Sequence, residues 1–85
     1  MQFIAPLAPS VLVKMTEVGI TQEPVELYKI LKFEGLASSG AEAKQFIEQG
    51  LVKVNGLVES RKRKKMFAGD VIEFESEVLT LFLEK

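Results

Sequence analysis

Five consecutive cations, Arg61-Lys62-Arg63-Lys64-Lys65, carry the densest charge in this 85-residue chain. Side chains of this kind bind phosphate oxygens and release the counterions those phosphates hold. The affinity they supply therefore falls with salt by about 0.7 to 0.9 log units per log of salt for each phosphate neutralised. Arg61 and Arg63 add planar forks that match phosphate geometry, whereas Lys62, Lys64 and Lys65 act as point charges. A cationic run on a loop also serves solubility alone, and the run by itself does not separate the two roles. A second anion-binding feature is Ser38-Ser39-Gly40, where the first-turn amides of a helix stand free at a positive dipole end and glycine lets a phosphate approach the backbone. The same serines serve equally as plain helix caps. Lys44 and Lys53 precede the run on a helix and a strand and add to its charge if the fold gathers them there.

Other chemistry is excluded by what is missing. The chain has no cysteine and no histidine, which removes disulfides, thiol nucleophiles, imidazole bases and thiolate or imidazole metal ligation. Its carboxylates fall on helix surfaces or beside strands, and no pair is spaced to share a proton. The expectation is a non-catalytic protein with no cofactor, no metal and no small-molecule substrate. Tyr28 and Phe33 could stack on bases, although aromatic residues at such spacing more often belong to a core. A sheet face interleaved with aromatics, the mark of single-strand readers, is absent, so the residues favour a structured nucleic acid recognised through backbone and shape. They do not themselves separate RNA from DNA.

The net charge of −1 argues against nucleic acid until it is resolved by segment. Residues 29 to 69 hold nine of the eleven Lys and Arg against Glu34, Glu42, Glu48 and Glu59, a net of +5, and the remainder carries a net of −6. Fields near a surface come from groups within a Debye length of about 8 to 10 Å, so a positive face can bind phosphates on a slightly acidic molecule.

The elements that must position these groups follow from pattern. Val11, Val13 and Met15 alternate with Lys14 and Thr16, predicting a strand over 10 to 18 that Gly19 ends. Thr21 to Pro24 supply a polar lead with proline early in a first turn, so a helix is expected to begin there. Leu27, Ile30 and Leu31 share its inner face, and Gly35 stops it. Ser39 and Glu42 form a capping box whose carboxylate is expected to reach back to the cap residue's own N–H. Ala43, Phe46 and Ile47 make the apolar face of this second helix, and Gly50 ends it. Val52 and Val54 flank Lys53, and Asn55-Gly56 predicts a type I′ turn into a returning strand, 57 to 60. That strand would fix where the basic run starts and bring it beside Lys44 and Lys53. Val71 to Phe74 and Val78 to Leu83 read as two further strands, the last one a partner for the first.

Taken together, Glu26 to Glu34, Gly35-Leu36-Ala37-Ser38, Glu42-Ala43-Lys44, Ile47-Glu48-Gln49-Gly50, Val52-Lys53-Val54-Asn55-Gly56 and Ala68-Gly69-Asp70-Val71-Ile72 resemble the RNA-binding domain named after small-subunit ribosomal protein four, the alpha-L motif. The resemblance spans roughly residues 26 to 74. The segments Lys32 to Leu36 and Glu59 to Lys65 look most like its small stand-alone, ribosome-associated YbcJ-type members. The resemblance implies a non-catalytic RNA binder, with ribosomal RNA the leading ligand and the ribosomal subunit the leading partner. Usual members carry an arginine just after the cap serine and an Arg-Leu-Asp start to the first helix. Here Gly40 and Glu26-Leu27-Tyr28 stand in those places, which moves the expected phosphate contacts to residues 61 to 65.

The reading is an α+β fold with two short helices on a small, mostly antiparallel sheet. It places an N-terminal arm at 1–9 and a single domain at 10–85. The RNA-binding set is Ser38, Ser39, Gly40, Lys44, Lys53, Arg61, Lys62, Arg63, Lys64 and Lys65. No apolar run reaches the ~18 residues of a membrane span, and the first residues lack the cationic start of a signal peptide, so a cytoplasmic protein without membrane contact is expected; the sequence leaves its oligomeric state open, a monomer being favoured. A different class of function, protein interaction or dimerisation, would use the apolar strand Val78 to Leu83 as a free sheet edge.

Overall fold

The computed structural model describes residues 13–84. Nine elements follow in order: β1 (Lys14–Ile20), β2 (Val25–Glu26), α1 (Leu27–Phe33), α2 (Gly40–Glu48), β3 (Val52–Val54), β4 (Leu57–Val58), β5 (Lys65–Met66), β6 (Val71–Phe74) and β7 (Glu77–Leu83). Five strands form one sheet in the order β1-β7-β6-β3-β4, and β2 pairs with β5 as a separate two-stranded ribbon. β1 runs parallel to β7, and the other three pairings of the sheet are antiparallel. The expected α+β architecture is the one observed.

Both helices lie on one face of the sheet. Leu27, Ile30 and Leu31 of α1 and Ala43 and Ile47 of α2 are buried with Val52, Ile72, Leu79 and Leu81 of the strands. Phe46 stacks on Phe74 with ring centroids 5.0 Å apart, which ties α2 to β6. Each fully buried side chain of this size contributes about 1.5 to 3 kcal/mol by leaving water. The helices end alike: Leu36 N–H donates to Leu31 C=O and Gly35 N–H to Lys32 C=O, and the same pattern recurs from Leu51 to Phe46 and Gly50 to Ile47. This closure needs a left-handed residue after the last turn, and Gly50 supplies it at φ +78°. At the hairpin, Asn55 (φ 52°) and Gly56 (φ 87°) take the two positive φ values of a type I′ turn.

Several boundaries differ from the sequence reading. Gly19 does not end the first strand, which continues to Ile20. It pairs with Phe82 of β7, and the Phe82 ring passes 3.0 Å from where a β-carbon of residue 19 would stand. The glycine thus makes room for an aromatic neighbour inside a strand. The first helix begins at Leu27 rather than near Pro24, because Val25 and Glu26 are held extended against Met66 and Lys65. The returning strand stops at Val58.

The edge-strand alternative is overturned. β7 lies between β1 and β6 and is bonded on both sides, seven residues of it to β1. Val78 to Leu81 is therefore engaged on both sides and is not a free sheet edge; Phe82 and Leu83 are paired to β1. The expected arm at 1–9 and the start of the first strand at 10–12 lie outside the described residues.

Candidate functional site

The basic run is built into the fold through its backbone. Lys64 N–H donates to Arg61 C=O at 3.1 Å and closes a turn. The carbonyls of Lys64 and Lys62 then accept from the Leu27 and Tyr28 amides at 2.9 and 3.2 Å. Those amides belong to the first turn of α1 and have no partner within the helix, and Glu26 offers no side-chain cap. Immediately afterwards β5 pairs with β2, and Met66 is fully buried. The run's main chain caps a helix. Its side chains are left at the surface, with Arg61, Lys62, Arg63 and Lys65 exposed and Lys64 half-buried.

Tyr28 gathers cations from two elements. The Lys44 ammonium sits 4.5 Å from its ring centroid and the Arg63 guanidinium 5.4 Å, both within reach of the ring's quadrupole. The ring also lies against Gly40, 3.5 Å from where a β-carbon would be, so the space that glycine opens beside α2 is filled by tyrosine. The sequence marked Tyr28 only as a base-stacking candidate or a core residue. Its role in holding Lys44 and Arg63 together shows only once α1 and α2 are packed.

Carboxylates divide the cations into two groups. Arg61 wraps Glu59, its Nε donating at 2.8 Å and its Nη2 at 3.1 Å, while its backbone N–H donates to the same carboxylate at 2.9 Å. The guanidinium hydrogen bond holds the Glu59 carboxyl down to about 2 against opposing burial, and Glu59 in turn raises Arg61. Lys62 pairs with Glu48 at 2.7 Å. Arg63 and Lys29 share Glu26, each at 3.5 Å. Lys44, Lys64 and Lys65 have no carboxylate within ion-pair distance among the described residues. Arg61, an expected phosphate fork, therefore already has its fork occupied. The Glu59–Arg61 spacing was legible, since residues two apart in extended chain share a face; the Glu48–Lys62 pair depends on tertiary packing.

At the start of α2, Ser39 Oγ accepts from Glu42 N–H at 3.1 Å as expected. The Glu42 carboxylate reaches one residue further back than expected, accepting from the Ser38 amide at 2.7 Å and its hydroxyl at 3.0 Å. The amide bond, then the hydroxyl, lowers the Glu42 carboxyl below its ordinary range. Both serines are engaged, and the positive end of α2 already faces an anion.

Lys53 is not brought into this group. Val52 and Val54 point into the core and Lys53 lies on the opposite face of the sheet, in register with Glu73. The expected convergence thus holds for Lys44 and Arg63 and fails for Lys53. Asn55 does more than turn the hairpin: its side-chain amide donates to Asp70 at 3.1 Å, its carbonyl accepts from Val71 N–H at 2.9 Å, and Asp70 accepts from Phe67 N–H at 2.8 Å.

The chain and its fold have counterparts among known proteins. The family model described as the S4 domain matches residues 18–81. The chain belongs to the S4 domain family. This S4 domain is 54% identical over 50 residues to YbcJ of Escherichia coli (strain K12), covering 59% of this chain and 71% of that protein. It is 34% identical over 58 residues to RlbA of Bacillus subtilis (strain 168), named a probable ribosome maturation protein, covering 68% and 82%. The solution structure of Escherichia coli YbcJ, described as revealing an alpha-L motif involved in RNA-binding, superposes with a TM-score of 0.61 at 40% identity over 78% of this chain and 85% of that one. The S4 domain described here has the alpha-L architecture. Among its described residues no helix is long and apolar enough to cross a membrane.

Proposed function

We propose that this S4 domain is a non-catalytic binder of structured RNA in the cytoplasm, gripping backbone phosphates with Lys44, Arg63, Lys64 and Lys65. Arg61 and Lys62 stand at the margin of the contact, and the Ser38-Ser39-Gly40 turn sets the orientation of α2. The observation that carries the reading is the meeting of Lys44 and Arg63 on Tyr28. Cations from separate elements are held at one place on a molecule whose net charge is −1. Lys53, on the other sheet face, takes no part. The kinship to YbcJ, whose motif is described as involved in RNA-binding, and to RlbA, named for ribosome maturation, supports RNA as ligand and makes ribosomal RNA and the ribosomal subunit the first partners to test.

Fluorescence anisotropy with a labelled ribosomal RNA hairpin and a DNA duplex of equal length, across a salt series, tests this. The expected result is salt-dependent binding that favours RNA. It should weaken when Lys44, Arg63 and Lys64 are replaced together by Ala, with thermal stability retained. Affinity and salt slope unchanged by that triple replacement would remove the cationic face from the mechanism.

A further inference from the structure

Beside Arg63 lies an open depression of about 510 Å³ lined by Arg61, Arg63, Lys64, Lys65 and Phe67. Phe67 is 47% exposed, a large aromatic set among four cations. The loop that bears it is unusually well tied. Phe67 N–H donates to the Asp70 carboxylate at 2.8 Å, Ala68 N–H to Glu23 at 2.6 Å, Gly69 N–H to Leu81 C=O at 2.8 Å and Asp70 N–H to Phe67 C=O at 3.1 Å. Four successive amides are thus satisfied. Asp70 is itself braced by Asn55, and the preceding Met66 is fully buried. An aromatic ring that is water-exposed, ringed by charge and carried on a fixed backbone is a prepared stacking surface rather than a loose loop residue.

We propose that this depression receives one unstacked nucleobase on Phe67, its flanking phosphates held by Arg63, Lys64 and Lys65. The inference rests on the RNA-binding reading and narrows its ligand to helical RNA carrying an unpaired nucleotide. A paired base shows a protein only its edges, while a bulged or looped base can be splayed out and stacked on an aromatic side chain. Stacking of a base on an aromatic ring is sequence-tolerant, so the site selects the presence of an extrahelical base and not its identity. Arg63 lies both over Tyr28 and in the wall of the depression, so a backbone lying across Lys44 and Arg63 leads directly into it.

The test uses two RNA duplexes of identical sequence, one carrying a single bulged 2-aminopurine, with the wild-type chain, Phe67→Ala and Phe67→Trp. The wild type is expected to bind the bulged duplex roughly fivefold to a hundredfold more tightly, the range set by base–aromatic stacking, and to change the 2-aminopurine emission on binding. Phe67→Ala should lose that preference and the emission change while keeping the affinity and salt slope for the unbulged duplex; Phe67→Trp should retain the preference. Equal binding of both duplexes by the wild type, or an equal loss on both in Phe67→Ala, overturns the inference and leaves the RNA reading standing. Binding of neither duplex overturns both.

Discussion

The division of cations by their carboxylate partners sets a rank order that conventional charge counting would miss. Arg61 and Lys62 are balanced by Glu59 and Glu48 at 2.8 and 2.7 Å. Lys44, Lys64 and Lys65 are unpaired among the described residues, and Arg63 shares its carboxylate with Lys29. If Lys44, Arg63, Lys64 and Lys65 each neutralise one phosphate, raising salt fourfold from 50 to 200 mM costs about 0.4 to 0.5 log units per contact, or roughly 50- to 150-fold in total. The double variant Lys44→Ala/Arg63→Ala keeps two contacts, and the same salt step should then cost it only about 7- to 12-fold. Arg61→Ala/Lys62→Ala removes the same formal charge, yet should keep a salt dependence near that of the wild type. Anisotropy titrations of a labelled RNA hairpin at four or more salt concentrations measure the slopes directly. Slopes that fall alike in the two double variants would show that formal charge, not pairing within the fold, governs the contact, and the reasoning would fail.

Tyr28→Leu should weaken RNA binding at moderate salt by up to about five- to thirtyfold, the upper bound set by losing two cation–π contacts worth about 0.5 to 1 kcal/mol each at an exposed site; Tyr28→Phe should bind like the wild type in the same titration. Glu48→Gln frees Lys62 from its partner and should steepen the salt slope by up to one phosphate's worth, about 0.7 to 0.9. The Glu59 carboxyl should titrate near 2 by NMR in the wild type and return toward about 4.3, the ordinary glutamate value, in Arg61→Ala. Because folding lowers this group, the pair's stabilisation is complete above the ordinary carboxylate range and is lost as pH falls toward 2. The wild type should therefore lose more stability than Arg61→Ala between pH 5 and pH 2.5. Met66→Ala, a truncation at a fully buried position, should cost about 2 to 5 kcal/mol in urea unfolding, whereas Lys65→Ala beside it should change stability by less than about 0.5 kcal/mol.

The fold was legible where local chemistry decides it. The Ser39 cap, the glycine stops at 35 and 50, and Asn55-Gly56 each meet a need of the nearby backbone and stand where they were read, with only the Glu42 carboxylate shifted by one residue to Ser38. What escaped depends on partners distant in sequence. Nothing around Gly19 announces that Phe82 will lie over it, and nothing around Pro24 announces that Lys65 and Met66 will hold residues 25 and 26 extended. The apolar pattern of Val78 to Leu83 suits an edge and an interior strand equally; its expected pairing with the first strand is present, and what the pattern did not show is that β6 closes its other side. The candidate site divides the same way. Its residue types were evident, but their grouping was not. Lys53 alternates out of the core and so leaves the group, while Tyr28 enters it because two helices cross there.

The way the basic run is attached makes function separable from stability. Helix α1 takes its cap from the carbonyls of Lys62 and Lys64, and a carbonyl is the same whatever side chain its residue bears. A cap made by a serine or aspartate side chain would cost about 0.5 to 2 kcal/mol on replacement by alanine; here the cap survives any substitution at 61 to 65 that leaves the turn intact. The side chains are thus free to meet the demands of a ligand while the main chain meets those of the helix. The same attachment limits how far the cations can move. A run bonded to the first turn of α1 and paired through β5 cannot swing away from Lys44 without uncapping the helix, so the cations proposed to hold phosphates are positioned by the fold itself. Such pre-positioning would lower the ordering cost of the proposed phosphate contacts, the condition under which a small number of unpaired cations on a slightly acidic chain would suffice for them.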